Sequence, residues 1–162
     1  MKYIKLAIIS FIFLFIVVTL MALLLPSTVI VSRAIDINAN IDTIKNYTLQ
    51  IKNWQTWLPE KNSHFSIEND STVLMAKTRI LVEIKTDSSI NTKWIGEKGT
   101  IQNSRLQIIA YNNSNITTVQ WQFTEKLKWY PWQRFGSIVN EAVMGNALEK
   151  KLQKLKTICE ED

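Results

Sequence analysis

The stretch IVNEAVMGNALEKKLQKLK, residues 138–156, carries apolar side chains at 138, 139, 142, 143, 148, 152 and 155. That is helical spacing held over about five turns. Lys150, Lys151, Lys154 and Lys156 take the other sides, where positive charge suits the C-terminal end of a helix dipole. Gly145 interrupts the side expected to be buried. A glycine inside a helix costs about 1 kcal/mol relative to alanine, so a packing reason is expected there, the close approach of a strand or of a ligand.

Upstream of this helix the chain alternates. From Thr28 to Ile37 β-branched residues dominate, and one face reads Val29, Val31, Arg33, Ile35 and Ile37, a strand with Arg33 as its odd member. In "NANIDTIKNYTLQIKNW", Ile41, Ile44, Leu49 and Ile51 fall at approximately helical spacing, and Asn38 or Asn40 can cap the first turn. Trp54 and Trp57 follow, and Pro59 stops any helix. Ile80, Val82 and Ile84 alternate with Arg79, Leu81, Glu83 and Lys85, a strand with one wet and one buried face. "NTKWIG" and "GTIQN" read as short strands separated by Glu97 and Lys98, and "RLQIIAYNNSNITTVQWQF" as a hairpin turning at "NNSN". Strand, short helix, several antiparallel strands and a long closing helix describe an α+β domain whose helix is buried against a curved sheet.

The N-terminal end is of another kind. Leu6 to Leu25 is a run of twenty residues without a charge, the length of a spanning helix and longer than the core of an export signal. No Ala-x-Ala site follows it, and no cysteine for lipid attachment, so it reads as a retained anchor. Lys2, Lys5 and the terminal amine precede it, against Arg33 and Asp36 after it. That asymmetry predicts a single pass through the cytoplasmic (inner) membrane, with the N-terminus inside and the domain outside, in the periplasm of a two-membrane bacterium. The expected division is an anchor over 1–26 and a domain over 27–162. In "MALLLPSTVIVSR" (21–33), Pro26 ends the run and Ser27 and Thr28 leave little slack before the first strand, so the domain is expected close to the bilayer.

The net charge of +5 loses Lys2 and Lys5 to that leader, which leaves 17 basic and 14 acidic side chains, a surplus too small to indicate nucleic acid. Cys159 alone cannot form an internal disulfide. His64, the one histidine, lies in the polar stretch "EKNSHFS" and reads as a solvated loop residue. No metal site, catalytic residue or cofactor is assigned: one histidine and one cysteine offer too few ligands, and no triad or phosphate-binding glycine loop is present. Glu149 reads as one half of an ion pair or strand contact. Arg33, if inward, needs a carboxylate or a polar ligand head. In "KLKWYPWQRF" (126–135), Trp129, Tyr130, Trp132 and Phe135 lie among Lys126, Lys128 and Arg134, a composition suited either to closing one end of the domain or to the membrane interface.

Three stretches together resemble the START-like superfamily, in particular its SRPBCC or polyketide cyclase/dehydrase-type proteins. "VSRAIDINANIDTIKNYTLQIKNWQTWLP" resembles the opening strand, helix and Asn-Trp-x-x-Trp segment, here Asn53, Trp54 and Trp57. "TTVQWQF" resembles a late strand, with Thr117, Val119 and Trp121. "MGNALEKKLQKLK" resembles the closing helix pattern, with Lys151 where the family has a glycine and Leu148 where it has an aromatic. The resemblance implies a helix-grip fold, a curved antiparallel sheet of about seven strands around the long C-terminal helix with a cavity between them. It implies binding of lipids, isoprenoids, polyketides or other apolar small molecules, with chemistry in a minority of members. The lining expected on that basis is Arg33, Ile80, Val82, Ile84, Trp94, Trp121, Ala142, Gly145, Leu148 and Leu152. The partner is then a membrane lipid or another apolar small molecule, with no protein partner indicated. Two alternatives stand beside it: a cyclase/dehydratase-type enzyme using Arg33 or Glu149, or a ligand-free assembly module at the membrane whose interior is filled by its own tryptophans.

Overall fold

The computed structural model describes residues 2–60, 63–97, 99–111 and 116–162. The chain opens with helix α1 (Lys2–Leu23). Its Tyr3–Leu23 segment has a mean hydropathy of 3.0, is long and apolar enough to cross a membrane, and is almost entirely exposed. Strand β1 (Thr28–Asn38) follows at once, then α2 (Ile41–Leu49) and a 3₁₀ turn (Ile51–Thr56). Six strands come next: β2 (Phe65–Asn69), β3 (Thr72–Met75), β4 (Thr78–Lys85), β5 (Ser89–Ile95), β6 (Ile101–Ala110) and β7 (Ile116–Lys126). Helix α3 (Pro131–Glu161) closes the chain. The seven strands form one open sheet in the order β1-β7-β6-β5-β4-β3-β2, every neighbour antiparallel. This is the α+β helix-grip architecture.

Local chemistry accounts for the element ends. Asn40 is the cap of α2: its side-chain oxygen accepts from the backbone N–H of Asp42 at 2.9 Å. The helix stops at Gln50, and Ile51 belongs to the separate 3₁₀ turn instead of extending α2. "GTIQN" and "RLQIIAY" are not two elements, because β6 runs unbroken from Ile101 to Ala110. The polar Ser104 that breaks its apolar pattern points inward and accepts the indole N–H of Trp121 at 2.7 Å. The predicted "NNSN" turn lies outside the described residues, as do Lys98 of the "EK" loop and Lys61 and Asn62 beside His64. His64 itself is exposed.

The long helix departs most from expectation. It begins at Pro131, seven residues before Ile138, and it has two apolar faces instead of one. Leu148, Leu152, Leu155 and Cys159 point into the core. Ile138, Val139 and Val143 are between 59% and 66% exposed, and Ala142 is exposed beside them. The five-residue step from Val143 to Leu148 advances a helix by about 500°, which leaves the two sets on roughly opposite sides. Helical spacing within each set is real, but the sets do not share a face.

Between sheet and helix the interior is aromatic. Trp54, Trp57 and Trp121 are fully buried and touch one another, with Trp57 and Trp121 edge to face at 5.4 Å. Trp94 and Phe123 extend the cluster at 5.0 Å. Each of the four indoles has a hydrogen-bond acceptor: Thr48 O for Trp54, Tyr47 O for Trp57, Thr92 Oγ1 for Trp94 and Ser104 Oγ for Trp121. A buried indole N–H without an acceptor would be costly, and here none is left so.

Candidate functional site

An apolar cavity lies at one end of the domain, where β1 starts and β7 finishes, apart from a larger depression of about 730 Å³ between Trp57, Pro59, Glu60 and the lysines of α3. The volume of the apolar cavity is about 240 Å³. The sheet supplies Val29, Val31 and Phe123, the residue after β7 supplies Leu127, and α3 supplies Ser137, Asn140, Val143, Met144 and Ala147. Two carboxylates border it, Glu125 and Glu141, and Glu125 accepts from the amide of Gln102 at 2.8 Å. No Lys, Arg or His is among the lining residues. The walls suit an apolar body, and the polar rim suits a group that donates hydrogen bonds, not an anion.

None of the ten residues expected to line a cavity borders this one. Trp121, Ile80, Leu148 and Leu152 are core residues packed on all sides, and Trp94 belongs to the aromatic cluster. Val82 lines a different depression, with Leu49, Ile67 and Ile90. Two of the expectations fail outright. Ile84 is 58% exposed, because the β4–β5 register shifts after Val82 and pairs Ile84 with Asn91 on the outer face. Ala142 is exposed on the outer side of α3. The β1 residues that line the cavity, Val29 and Val31, share the inward phase of β1 with Arg33. They were legible as inward but not as cavity-lining, since only the volume of the four indoles decides where space is left.

Arg33 and Gly145 explain each other. Arg33 crosses from β1 to α3 and lies over Gly145, where an added Cβ would sit 2.7 Å from its Cζ. Its Nε donates to Glu149 Oε1 at 2.6 Å, and Nη1 donates to Ser32 O at 2.9 Å. The charge therefore has its carboxylate partner, and the pair closes the flank of the helix away from the cavity. Lys151, at the position where the START-like pattern carries a glycine, reaches back to donate to Leu58 O at 2.7 Å. Burial lowers the pKa of its ammonium, an effect that Glu60 partly opposes.

The junction between α1 and the sheet is pinned by two hydrogen bonds to main-chain carbonyls. Leu127 N donates to Ser27 O at 2.8 Å, and the guanidinium of the buried Arg134 donates to Leu25 O. The last turns of α1, where Ala22 is buried, touch α3. Beside this junction Tyr130 stacks on Trp132 and meets Trp129 at a tilt, each with ring centroids 4.9 Å apart, and Trp129, Trp132 and Phe135 are exposed.

No family model matches the sequence, and no curated protein matches it. Solved structures do match. A START superfamily protein from Mycobacterium smegmatis aligns with a TM-score of 0.62 at 20% identity, over 82% of this chain and 97% of its own. A protein from Nitrosospira multiformis aligns at 0.62 and 11% identity, over 81% and 96%. The di-domain ARO/CYC protein BexL of the BE-7585A biosynthetic pathway aligns at 0.59 and 14% identity, over 83% of this chain and 50% of its own. At these identities the likeness is one of fold.

Proposed function

We propose, from its START-like helix-grip fold, that this chain is a membrane-anchored binding protein for an apolar or amphipathic small molecule, a lipid or an isoprenoid- or polyketide-like compound. Residues 1–26 serve as the anchor and 27–162 as the binding domain. Lys2 and Lys5 favour a cytoplasmic N-terminus and a domain outside the inner membrane. The observation that carries the reading is the apolar cavity between β1, β7 and the first half of α3, placed beside the end of α1. Its 240 Å³ is below the roughly 300–1,000 Å³ usual for drug-sized ligands, so it suits a small molecule or one segment of a longer chain. Trp129, Tyr130, Trp132 and Phe135 fit contact with lipid headgroups at the same end.

The test is to purify the full chain into lipid nanodiscs, extract it with organic solvent, and identify what co-purifies by mass spectrometry. A ligand enriched over the nanodisc lipid, and lost in the cavity-filling variant Ala147→Phe, is the expected result. A chain that carries nothing and binds no apolar fluorescent probe would support the second reading, a ligand-free assembly module. The aromatic filling of the interior favours that second reading. Nothing comparable favours an enzyme: Arg33 and Glu149 are paired with each other and do not line the cavity.

A further inference from the structure

The first half of α3 is built inside out. Toward the domain it turns the buried Arg134 and the half-buried Gln133, Ser137 and Met144, and Ser137 and Met144 line the cavity with Asn140 and Glu141 at its exposed rim. Away from the domain it turns Trp132, Phe135, Ile138, Val139, Ala142 and Val143, all exposed. These six recur at steps of three and four residues, a continuous stripe about 16 Å long at 1.5 Å per residue. Among the described residues nothing covers the stripe, and an apolar face of this kind marks a surface that meets something other than water.

Three observations identify what covers it. The stripe begins where α3 meets the last turns of α1, so it continues the apolar surface of a helix long enough to span a bilayer. The stretch just before it holds Trp129 and Tyr130 in ring contact, with Lys126 and Lys128 exposed nearby. Beyond Val143 the same outward side continues into Asn146, Lys150 and Lys154, so lysines bracket the stripe at both ends. The outward side contains no acid from Trp132 to Asn146. Apolar residues flanked by aromatics and lysines are the make-up of a helix lying in the acyl–headgroup boundary, buried about 5–10 Å.

We propose that the first half of α3 inserts its outward face into the leaflet that the domain faces, with Lys150 and Lys154 against anionic headgroups. This rests on the membrane-anchored reading above. Val143 both ends the stripe and lines the cavity, so the cavity mouth opens at the lipid boundary and not into bulk water.

The experiment uses the full chain reconstituted in vesicles of phosphatidylcholine and phosphatidylglycerol. An environment-sensitive fluorophore is attached at V139C in a C159A background, with Q153C on the second half of α3 as the reference. The expected result is blue-shifted emission at 139, with roughly a twofold loss of intensity when the lipid carries brominated acyl chains. Position 153 stays water-like, and K150E/K154E moves 139 toward the water signal. Without any label, Trp129 and Trp132 are two of six tryptophans, so brominated lipid should remove about a third of the intrinsic fluorescence. Carbonate extraction of the same membranes reads the anchor independently. Water-like emission at 139 in a carbonate-resistant chain overturns the insertion and leaves the anchor standing. Lipid-embedded emission at 139 in a carbonate-extractable chain upholds the insertion and sinks the anchor. A blue shift that appears in detergent with rising protein concentration assigns the stripe to a second copy of the chain and overturns the proposal.

Discussion

The two halves of α3 make opposite use of one helix. From Leu148 to Cys159 the apolar side faces inward, against β1 and α2, while Lys150 and Lys154 face water and Lys151 and Lys156 reach back to main-chain carbonyls of the domain. From Trp132 to Val143 most apolar side chains face outward, and Ser137, Asn140 and Glu141 border the cavity together with Met144. Arg33 sits at the changeover, laid across Gly145 where the helix has no side chain. Each half alone is ordinary amphipathic helix. The difference teaches that helical spacing identifies a helix but says nothing about which body its apolar side meets.

The largest expected contrast tests that division. Leu152 is fully buried, so Leu152→Ala should cost about 2–5 kcal/mol in chemical denaturation of the detergent-solubilised chain. Val139→Ala, one half-helix away, should change stability by less than about 0.5 kcal/mol. Equal costs at the two positions would mean that the halves are packed alike.

Cys159 sharpens the inner half by its chemistry. Burial, with help from Asp162 and Glu160, pushes its thiol up to about 11 from 9.0. Two units leave about a hundredfold less thiolate at neutral pH, so maleimide labelling of the native chain should be slow and should accelerate on unfolding. The folded pKa is the raised one, so the neutral thiol favours the fold below about pH 9. That contribution is lost as pH rises toward about 11, and Cys159→Ala should flatten this part of the stability profile.

The changeover itself is tested by a double-mutant cycle. In the native chain Gly145→Ala displaces Arg33 from Glu149, a loss that offsets the helical gain. In an Arg33→Ala background the same change should stabilise by about 1 kcal/mol, because only the glycine penalty remains. A coupling near zero would show that Arg33 is not what Gly145 accommodates. A small effect is expected at Glu149, which is mostly exposed. Glu149→Gln should cost less than about 1 kcal/mol, and salt should reduce the difference further.

Strands with a clean period of two were legible, which is why β1, β4, β5 and the β6–β7 pair stand where alternation put them. The β2–β3–β4 connections were not. The turn after β3 uses Ala76 in the left-handed region, at a φ of 52°, with no glycine or asparagine to announce it. The exposure of Ile84 depends on a register shift, and a bulge leaves no mark in a pattern of apolar letters. Gly145 did signal a close approach, and Arg33 did signal a need for a carboxylate; that each answers the other required knowing that β1 lies along α3. The cavity was the least legible feature, since its place depends on how four indoles share the interior.

The junction between α1 and the sheet has a mechanical consequence. Ser27 is already bonded to Leu127, and β1 then pairs with β7 along its whole length, from Thr28 with Lys126 to Asn38 with Ile116. A pull on α1 therefore runs along the strand axis and loads the ladder in shear, its bonds sharing the force instead of parting one by one. Force applied through α1 would therefore move the domain as a unit before it could peel the first strand away.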